Sequence, residues 1–484
     1  MNYKHLSCLT LSLAGGSLPV FSQQKPITKP NIVIIITDQQ NVNKLSYMGD
    51  PWIKTPTMDN FAKNGYVFTQ SYCVFPLSVP SRFSFFTGRY PADYGVRGNH
   101  WEKSEQDMYD FSKIADKAIP TSLANLFNNA GYDTYYGGKV HLPSQKSYDD
   151  WAYYGFKNNY SEERHIALGE DAAALLKSKE HATKPFLMVV SYINPHDICN
   201  YDLFIKEDWG PKAEKGKADI LQRLKRYWDE AESYPRDRFF SELCPPHPLN
   251  FARYDMPPGF AVNYGAYTEK QWYNRHWEYN RLIEEVDSDM APVWDALNKY
   301  GFLKNTILVF TSDHGEMNGA HGMILKIAPF KEAQNIPFIV MGPGIQKGVI
   351  DRKNMVNGGI DLLPTLCDLA GIKIPADMPG LSMKPLLTGQ TDDLGRHYIF
   401  TESANWYQVV KDGRYKYTIG ECTGAPVLLF DLQTDPLEMT NQIDNPHYAR
   451  IKDELSKALA DKLQERGVTI RKDNNKNSAL SRWE

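Results

Sequence analysis

Apolar residues in this chain gather in short unbroken runs, separated by stretches of helical periodicity. Asn31 to Thr37 reads N-I-V-I-I-I-T, Phe186 to Ile193 reads F-L-M-V-V-S-Y-I, and Thr306 to Thr311 reads T-I-L-V-F-T. Runs this rich in β-branched and aliphatic residues, without polar alternation, predict strands covered on both faces. Tyr132 to Gly138 and Ile336 to Met341 are two further strand candidates. Between them the spacing predicts helices over Thr55 to Gly65, with Met58, Phe61 and Ala62 on one face, and over Ser122 to Asn129. A long helix carries Leu282, Ile283, Val286, Met290, Val293, Trp294 and Leu297. Strands alternating with helices predict an α/β fold, a large mostly parallel sheet sandwiched by helices. Sites in such sheets gather at the carboxyl ends of the strands. Four of the runs end in groups suited to a metal or an anion: Asp38, Lys139 with His141, His196, and Asp313 with His314.

Two stretches break the rhythm. Residues 200–275 are rich in Trp, Tyr, Pro and charge, with a helix near Ala218 to Glu232 and a proline-rich run from Cys244 to Pro258, and read as an insertion or lid. After Ala370-Gly371 come a Pro/Gly-rich stretch at 376–394, short strand-like runs (His397 to Thr401, Tyr415 to Ile419, Val427 to Leu432) and an amphipathic helix from Tyr448 to Arg466. This predicts a smaller C-terminal subdomain at 376–484, an antiparallel sheet plus helix, behind a catalytic domain at 25–375. The polar end from Lys472 is expected to fray.

Composition narrows the function. With 23% charged and 42% hydrophobic residues, the 484-residue chain reads as globular, and a net charge of −4 argues against nucleic acid or an anionic membrane as partner. An anionic substrate must therefore be attracted locally. Residues 1–22 read as a signal peptide, with Lys4 and His5 before the apolar Leu6 to Phe21. No later stretch is long and apolar enough to span a membrane, so a periplasmic or secreted protein is expected. Six widely spaced cysteines without a CxxC pair form neither a disulfide framework nor a zinc site.

The remaining chemistry centres on Ser78-Val79-Pro80-Ser81-Arg82, followed by Thr87-Gly88-Arg89. Pro80 suits a first helical turn, and Ser78 and Ser81 are capping types. A helix start offers free N–H groups and a positive dipole end to an anion. The string resembles the signature of the type I sulfatases, within the alkaline-phosphatase-like superfamily. The resemblance continues in order through G-G-K-V-H at 137–141, N-P-H-D at 194–197, T-S-D-H-G-E at 311–316, D-L-L-P-T at 361–365, G-R-Y-K-Y at 413–417 and F-D-L-Q-T-D-P-L-E at 430–438.

That resemblance implies a sulfuric ester hydrolase acting on a sulfated saccharide, such as a glycosaminoglycan or mucin-type glycan. It implies oxidation of Ser78 to formylglycine by a maturation enzyme. It also implies one calcium ion held by Asp38, Gln39, Asp313, His314 and an oxygen of modified Ser78. The family more often has Asp where Gln39 stands and Asn where His314 stands. By the same resemblance Arg82 and Lys139 hold charge on the nucleophile side and His196 and Lys326 attend the leaving group. Asp313 would take the attacking hydroxyl's proton, and His141 would assist release of sulfate. Taken singly, His196 also reads as a turn residue and Lys326 as a surface lysine. Aromatic residues of 200–275, with Asn99, His100 and Trp101, are candidates for holding sugar rings or for ordinary packing. The competing expectation is a phosphodiesterase or phosphonate monoester hydrolase of the same superfamily. A two-metal phosphatase should show further His/Asp clusters at strand ends, and the sequence offers donors for one ion.

Overall fold

A computed structural model describes residues 29–99, 109–146, 149–162, 167–205, 218–257, 260, 262–421, 423–468 and 470. The expected signal at 1–22, His100, Trp101 and the tail from Lys472 lie outside the described residues.

The large sheet has eight strands. In chain order they are β1 (Asn31–Asp38), β2 (Tyr66–Tyr72), β3 (Asp133–Gly138), β4 (Asn158–Ser161), β5 (Phe186–Pro195), β7 (Thr306–Ser312), β9 (Phe338–Met341) and β10 (Val349–Asn357). The short β6 (Asn263–Tyr264) and β8 (Met323–Ile324) pair with each other elsewhere. The spatial order is β10-β2-β9-β7-β1-β5-β3-β4. Neighbours run parallel except β9, which is antiparallel to both β2 and β7. The sheet is thus mostly parallel, as the sequence predicts.

β1 lies near the middle and shows why both faces are covered. Ile32, Ile34 and Ile36 enter one hydrophobic layer, with Phe83, Phe86, Phe127 and Leu363. Val33 and Ile35 enter the opposite layer, with Phe61, Leu282, Val286 and Met290. Side chains of a strand alternate between faces, so an unbroken apolar run is what a two-sided burial demands. The first layer includes α2 (Ser78–Thr87), introduced after α1 (Pro56–Asn64), while the second is built on the long helix Glu269–Lys299. The segment expected to be an insertion packs into this second layer through Leu221, Leu224, Tyr227 and Phe239, and the long helix starts within its last residues.

Three strands escape the apolar-run signal. β2 (Y-V-F-T-Q-S-Y) and β10 (V-I-D-R-K-N-M-V-N) carry polar residues because they lie at one side of the sheet, where Gln70 and Arg352 reach solvent. β4 is short and sits at the other edge.

The smaller sheet is antiparallel, in the order β11 (Tyr398–Glu402), β12 (Trp406–Lys411), β13 (Tyr415–Gly420), β14 (Pro426–Asp431). One face, with Tyr407, Val409, Tyr417, Ile419 and Leu429, packs on Leu455, Leu459 and Leu463 of the helix Ala449–Glu465. The other face carries Trp406, Gln408, Lys416 and Thr418, all buried and turned toward residues 327–334. β12 is absent from the sequence reading because Gln408 interrupts its inner face between Trp406 and Val410.

Candidate active site

The strands deliver their terminal side chains to one end of the large sheet. Asp38 closes β1, Lys139 and His141 follow β3, His196 follows β5, and Asp313 and His314 follow β7. The β1–β5 register slips between Ile36 and Asp38, a local bulge that re-aims the last residues of β1. Gln39 then takes a left-handed conformation, φ 70°. All ten residues of α2 are buried, and it ends at Gly88, φ 66°. The expected serine cap is not formed. Leu77 is the N-cap, the Asn99 side chain accepts from the Val79 N–H at 3.0 Å, and the Ser81 hydroxyl donates to the Asp313 carbonyl at 2.5 Å. Asn99, a candidate sugar contact, therefore serves the helix start. Gly359 of the helix Gly358–Leu369 lets that helix approach α2, since a Cβ there would stand 2.8 Å from Val74 Cγ2 and 3.0 Å from Ser84 Cβ.

Ser78 is thereby freed to face the strand ends. Its Oγ lies 3.3 Å from Asp38 Oδ2 and 3.1 Å from His314 Nε2. Donor atoms of Asp38, Asp313 and His314 lie within 4.8 Å of one another, and all three residues are buried. His314 Nδ1 is 2.9 Å from the Gly315 carbonyl, which must accept its N–H and so leaves a lone pair on Nε2. Asp38 Oδ1 has no hydrogen-bond partner despite its burial.

Cations enclose this group. Arg82, fully buried, donates Nε to Asp313 Oδ2 (3.0 Å), Nη2 to Asp38 Oδ2 (3.1 Å) and Nη1 to Ser191 Oγ (2.7 Å) and the Lys139 carbonyl (3.1 Å). Lys139 Nζ is 2.7 Å from Asp38 Oδ2. Burial alone would raise Asp38, but surrounding positive groups led by Lys139 hold it well below the ordinary range. Burial and the neighbouring Asp38 push Asp313 up. Burial, reinforced by Lys139, keeps His141 and His196 well below an ordinary histidine, so both imidazoles are neutral.

Lys326 joins from the loop after β7. At 8% exposure it is not a surface lysine. Its Nζ donates to Gln39 Oε1 at 2.6 Å and lies 4.0 Å from Cys199 Sγ. The flanking residues are both left-handed, Leu325 at φ 64° and Ile327 at φ 77°. Such a conformation costs of order 1–3 kcal/mol per residue and persists only where its surroundings enforce it.

The structure thus brings together Asp38, Ser78, Arg82, Lys139, Asp313, His314 and, through Gln39, Lys326. Gln39 differs from the expectation in detail. Its side-chain oxygen faces Lys326 and Cys199 while its Nε2 donates to Glu316, so it would join a metal only by releasing Lys326. Its backbone N–H meanwhile donates to Asp313 Oδ1 at 3.0 Å. Ser191, Cys199 and Glu316 were missed by the sequence reading. Glu316 pairs with Arg275 at 2.8 Å and accepts from the Leu325 N–H at 2.8 Å. Only the neighbouring motif letters mark these residues, and nothing in their own spacing does. His321, which has no assigned role, falls in a second buried cluster with Glu332 and Glu438. There the Lys416 ammonium stands 2.5 Å from Glu438 and supplies countercharge.

The Sulfatase family profile matches residues 30–372, which carry all of the residues gathered at the strand ends. The chain belongs to the sulfatase family. It is a sulfuric ester hydrolase of the alkaline-phosphatase-like superfamily. The C-terminal profile of N-sulphoglucosamine sulphohydrolase matches residues 319–465. This sulfatase is 30% identical to the Delta 4,5-hexuronate-2-O-sulfatase of Bacteroides thetaiotaomicron, over 87% of this chain and 86% of that one. It is 28% identical to an ulvan-active sulfatase of Formosa agariphila, over 95% and 86% of the two chains. A solved 2-O GAG sulfatase superposes with a TM-score of 0.71 at 26% identity, covering 91% of this chain and 93% of that one.

Proposed function

We propose that this sulfatase is an exported enzyme that removes sulfate from a sulfated carbohydrate, a fragment of a glycosaminoglycan or mucin-type glycan, using formylglycine made from Ser78 and one calcium ion. The observation that carries the reading is the position of Ser78 Oγ, between Asp38 and His314 and ringed by Arg82 and Lys139. The sugar assignment draws on the relatives, which are named for hexuronate, ulvan and GAG sulfates. The donor set fits a hard divalent cation. Two carboxylates and a neutral imidazole converge, and Asp38 Oδ1 is an orphaned buried acceptor. Asp38, Asp313, His314 and the Ser78 oxygen would hold it, with Gln39 as the further donor once Lys326 is released to substrate.

When present, the oxidised side chain supplies a hydrated-aldehyde oxygen to attack sulfur, and calcium supplies positive charge beside it. The chain's own residues do the rest. Arg82, locked by four hydrogen bonds, fixes both carboxylates. Lys139 adds positive charge where sulfate oxygens gain negative charge. His141, neutral, accepts a proton as sulfate is released. Lys326 keeps its proton, because Cys199, Asp38, Asp313 and Glu316 outweigh its burial, and with His196 it serves the departing alcohol oxygen.

Two measurements test the reading on protein coexpressed with a maturation enzyme. Mass spectrometry of the Ser78 peptide should show the loss of two hydrogens. Sulfate release should be followed from a panel of 2-O-sulfated unsaturated hexuronate disaccharide, N-acetylglucosamine 6-sulfate, N-sulfoglucosamine and 4-nitrophenyl sulfate, with calcium and with chelator. A sulfated sugar should be turned over only with calcium. Phosphate release from matched phosphate esters without sulfate release would favour the phosphodiesterase reading. N-terminal sequencing of exported protein should place the new end near residue 23.

A further inference from the structure

We infer that the C-terminal sheet is the positioning device for Lys326, with Trp406 as its principal positioning residue. The inference rests on the role given to Lys326 above.

The two faces of β12 and β13 are unlike. Packing on the closing helix uses Tyr407, Val409, Tyr417 and Ile419, an ordinary apolar alternation. The opposite face needs no polar group to hold the fold, because Leu428 and Phe430 of β14 already pack there on Met317, Ala328 and Phe330. Yet it buries Trp406, Gln408, Lys416 and Thr418. Buried polar groups are costly unless partnered, and the partners here lie largely on the segment after Lys326. Trp406 Nε1 donates to the Ile327 carbonyl at 2.8 Å, Gln408 Nε2 to the Pro329 carbonyl at 3.0 Å, and Lys416 Nζ to the same carbonyl at 3.2 Å. Glu438 accepts from the Lys331 N–H at 2.8 Å. Ile327 and Pro329 of the loop are thus pinned from the sheet itself, and Glu438, just beyond β14, holds Lys331 at the start of the next helix.

Trp406 acts on the residue that most needs holding. Ile327 is β-branched at φ 77°, and Leu325 on the other side of Lys326 is left-handed too. Without an outside hold this backbone would relax, and the Lys326 ammonium would turn from the strand ends. On the far side of the loop, Glu316 and the Pro76 carbonyl accept from the Leu325 and Ile327 N–H groups, at 2.8 and 3.1 Å. The lysine is therefore clamped between the catalytic core and the C-terminal sheet.

A double-mutant cycle on the wild type's fastest ester from the panel above decides the matter. Trp406→Phe keeps an aromatic ring, though a smaller one, and removes the donor. It should lower kcat about tenfold with KM within about twofold. In a Lys326→Met background the same change should alter kcat less than about twofold. A full tenfold loss in both backgrounds, or none in either, overturns the inference. Lys326→Met with no loss of its own overturns the underlying reading of the site instead. Should Trp406→Phe fail to fold, Gln408→Met gives the same cycle through the Pro329 carbonyl. Ile327→Gly removes the strain and frees the loop, so kcat should fall while the melting temperature holds or rises. Parallel loss of both would show a role in folding alone.

Discussion

The eight-stranded sheet and the four-stranded sheet bury different chemistries, and the difference follows what each has to hold. Inside the large sheet, β1 offers five isoleucines and valines in succession, split between two hydrophobic layers. The polar groups of the site collect at and just past the strand ends. The small sheet is divided the other way, with one apolar face against a helix and one face of Trp, Gln, Lys and Thr against a loop. A dry scaffold can place side chains only at its rim. A polar inner face can grip a backbone that has no regular structure of its own.

The sharpest way to break this comparison is at the rim. Arg82→Met leaves Asp38 and Asp313 buried without their shared guanidinium, and should cost about 3–5 kcal/mol by denaturant unfolding in chelator. A loss below about 1 kcal/mol would mean that water already reaches the pair. Within the dry interior, Ile34→Ala should cost about 2–5 kcal/mol through the cavity it leaves, while kcat of the folded enzyme stays unchanged. A matching drop in kcat would dissolve the division between scaffold and rim.

The smallest effect is expected at His321, in the buried cluster whose Glu438 pairs with Lys416 of the small sheet. Burial holds His321 at about 4 in the folded chain, against the ordinary 6.5, with Glu438 opposing. The unfolded chain therefore takes up that proton first. Stability from this group is complete above about pH 6.5 and declines toward pH 4, by up to about 3 kcal/mol. His321→Asn should flatten that part of the pH–stability curve, and an unchanged curve would show that other groups carry it.

How much of this was legible in the sequence follows the same line. β1, β5 and β7 were readable because two-sided burial writes an unbroken apolar run, whereas β3 (D-T-Y-Y-G-G) offers a weaker signal, two tyrosines between polar and glycine positions. Asp38, Lys139, His141, His196, Asp313 and His314 were readable because they end such runs. β2 and β10 were not, since a strand near the sheet edge keeps polar positions such as Gln70 and Arg352. β12 was hidden by Gln408 and by Lys411 at its end, although Trp406, Tyr407, Val409 and Val410 suit a strand. The bond from Gln39 to Lys326 joins residues 287 positions apart, and no local pattern encodes it. Serine caps were expected at α2 from residue type alone, but the fold spends those hydroxyls on the strand ends.

The complete enclosure of α2 also sets an order of events. Ser78 and the nine residues after it have essentially no contact with solvent in the finished fold. A maturation enzyme of the kind proposed above would find neither Ser78 nor its helix neighbours presented at the surface. On the reading proposed above, oxidation of Ser78 is therefore expected to precede folding of the chain.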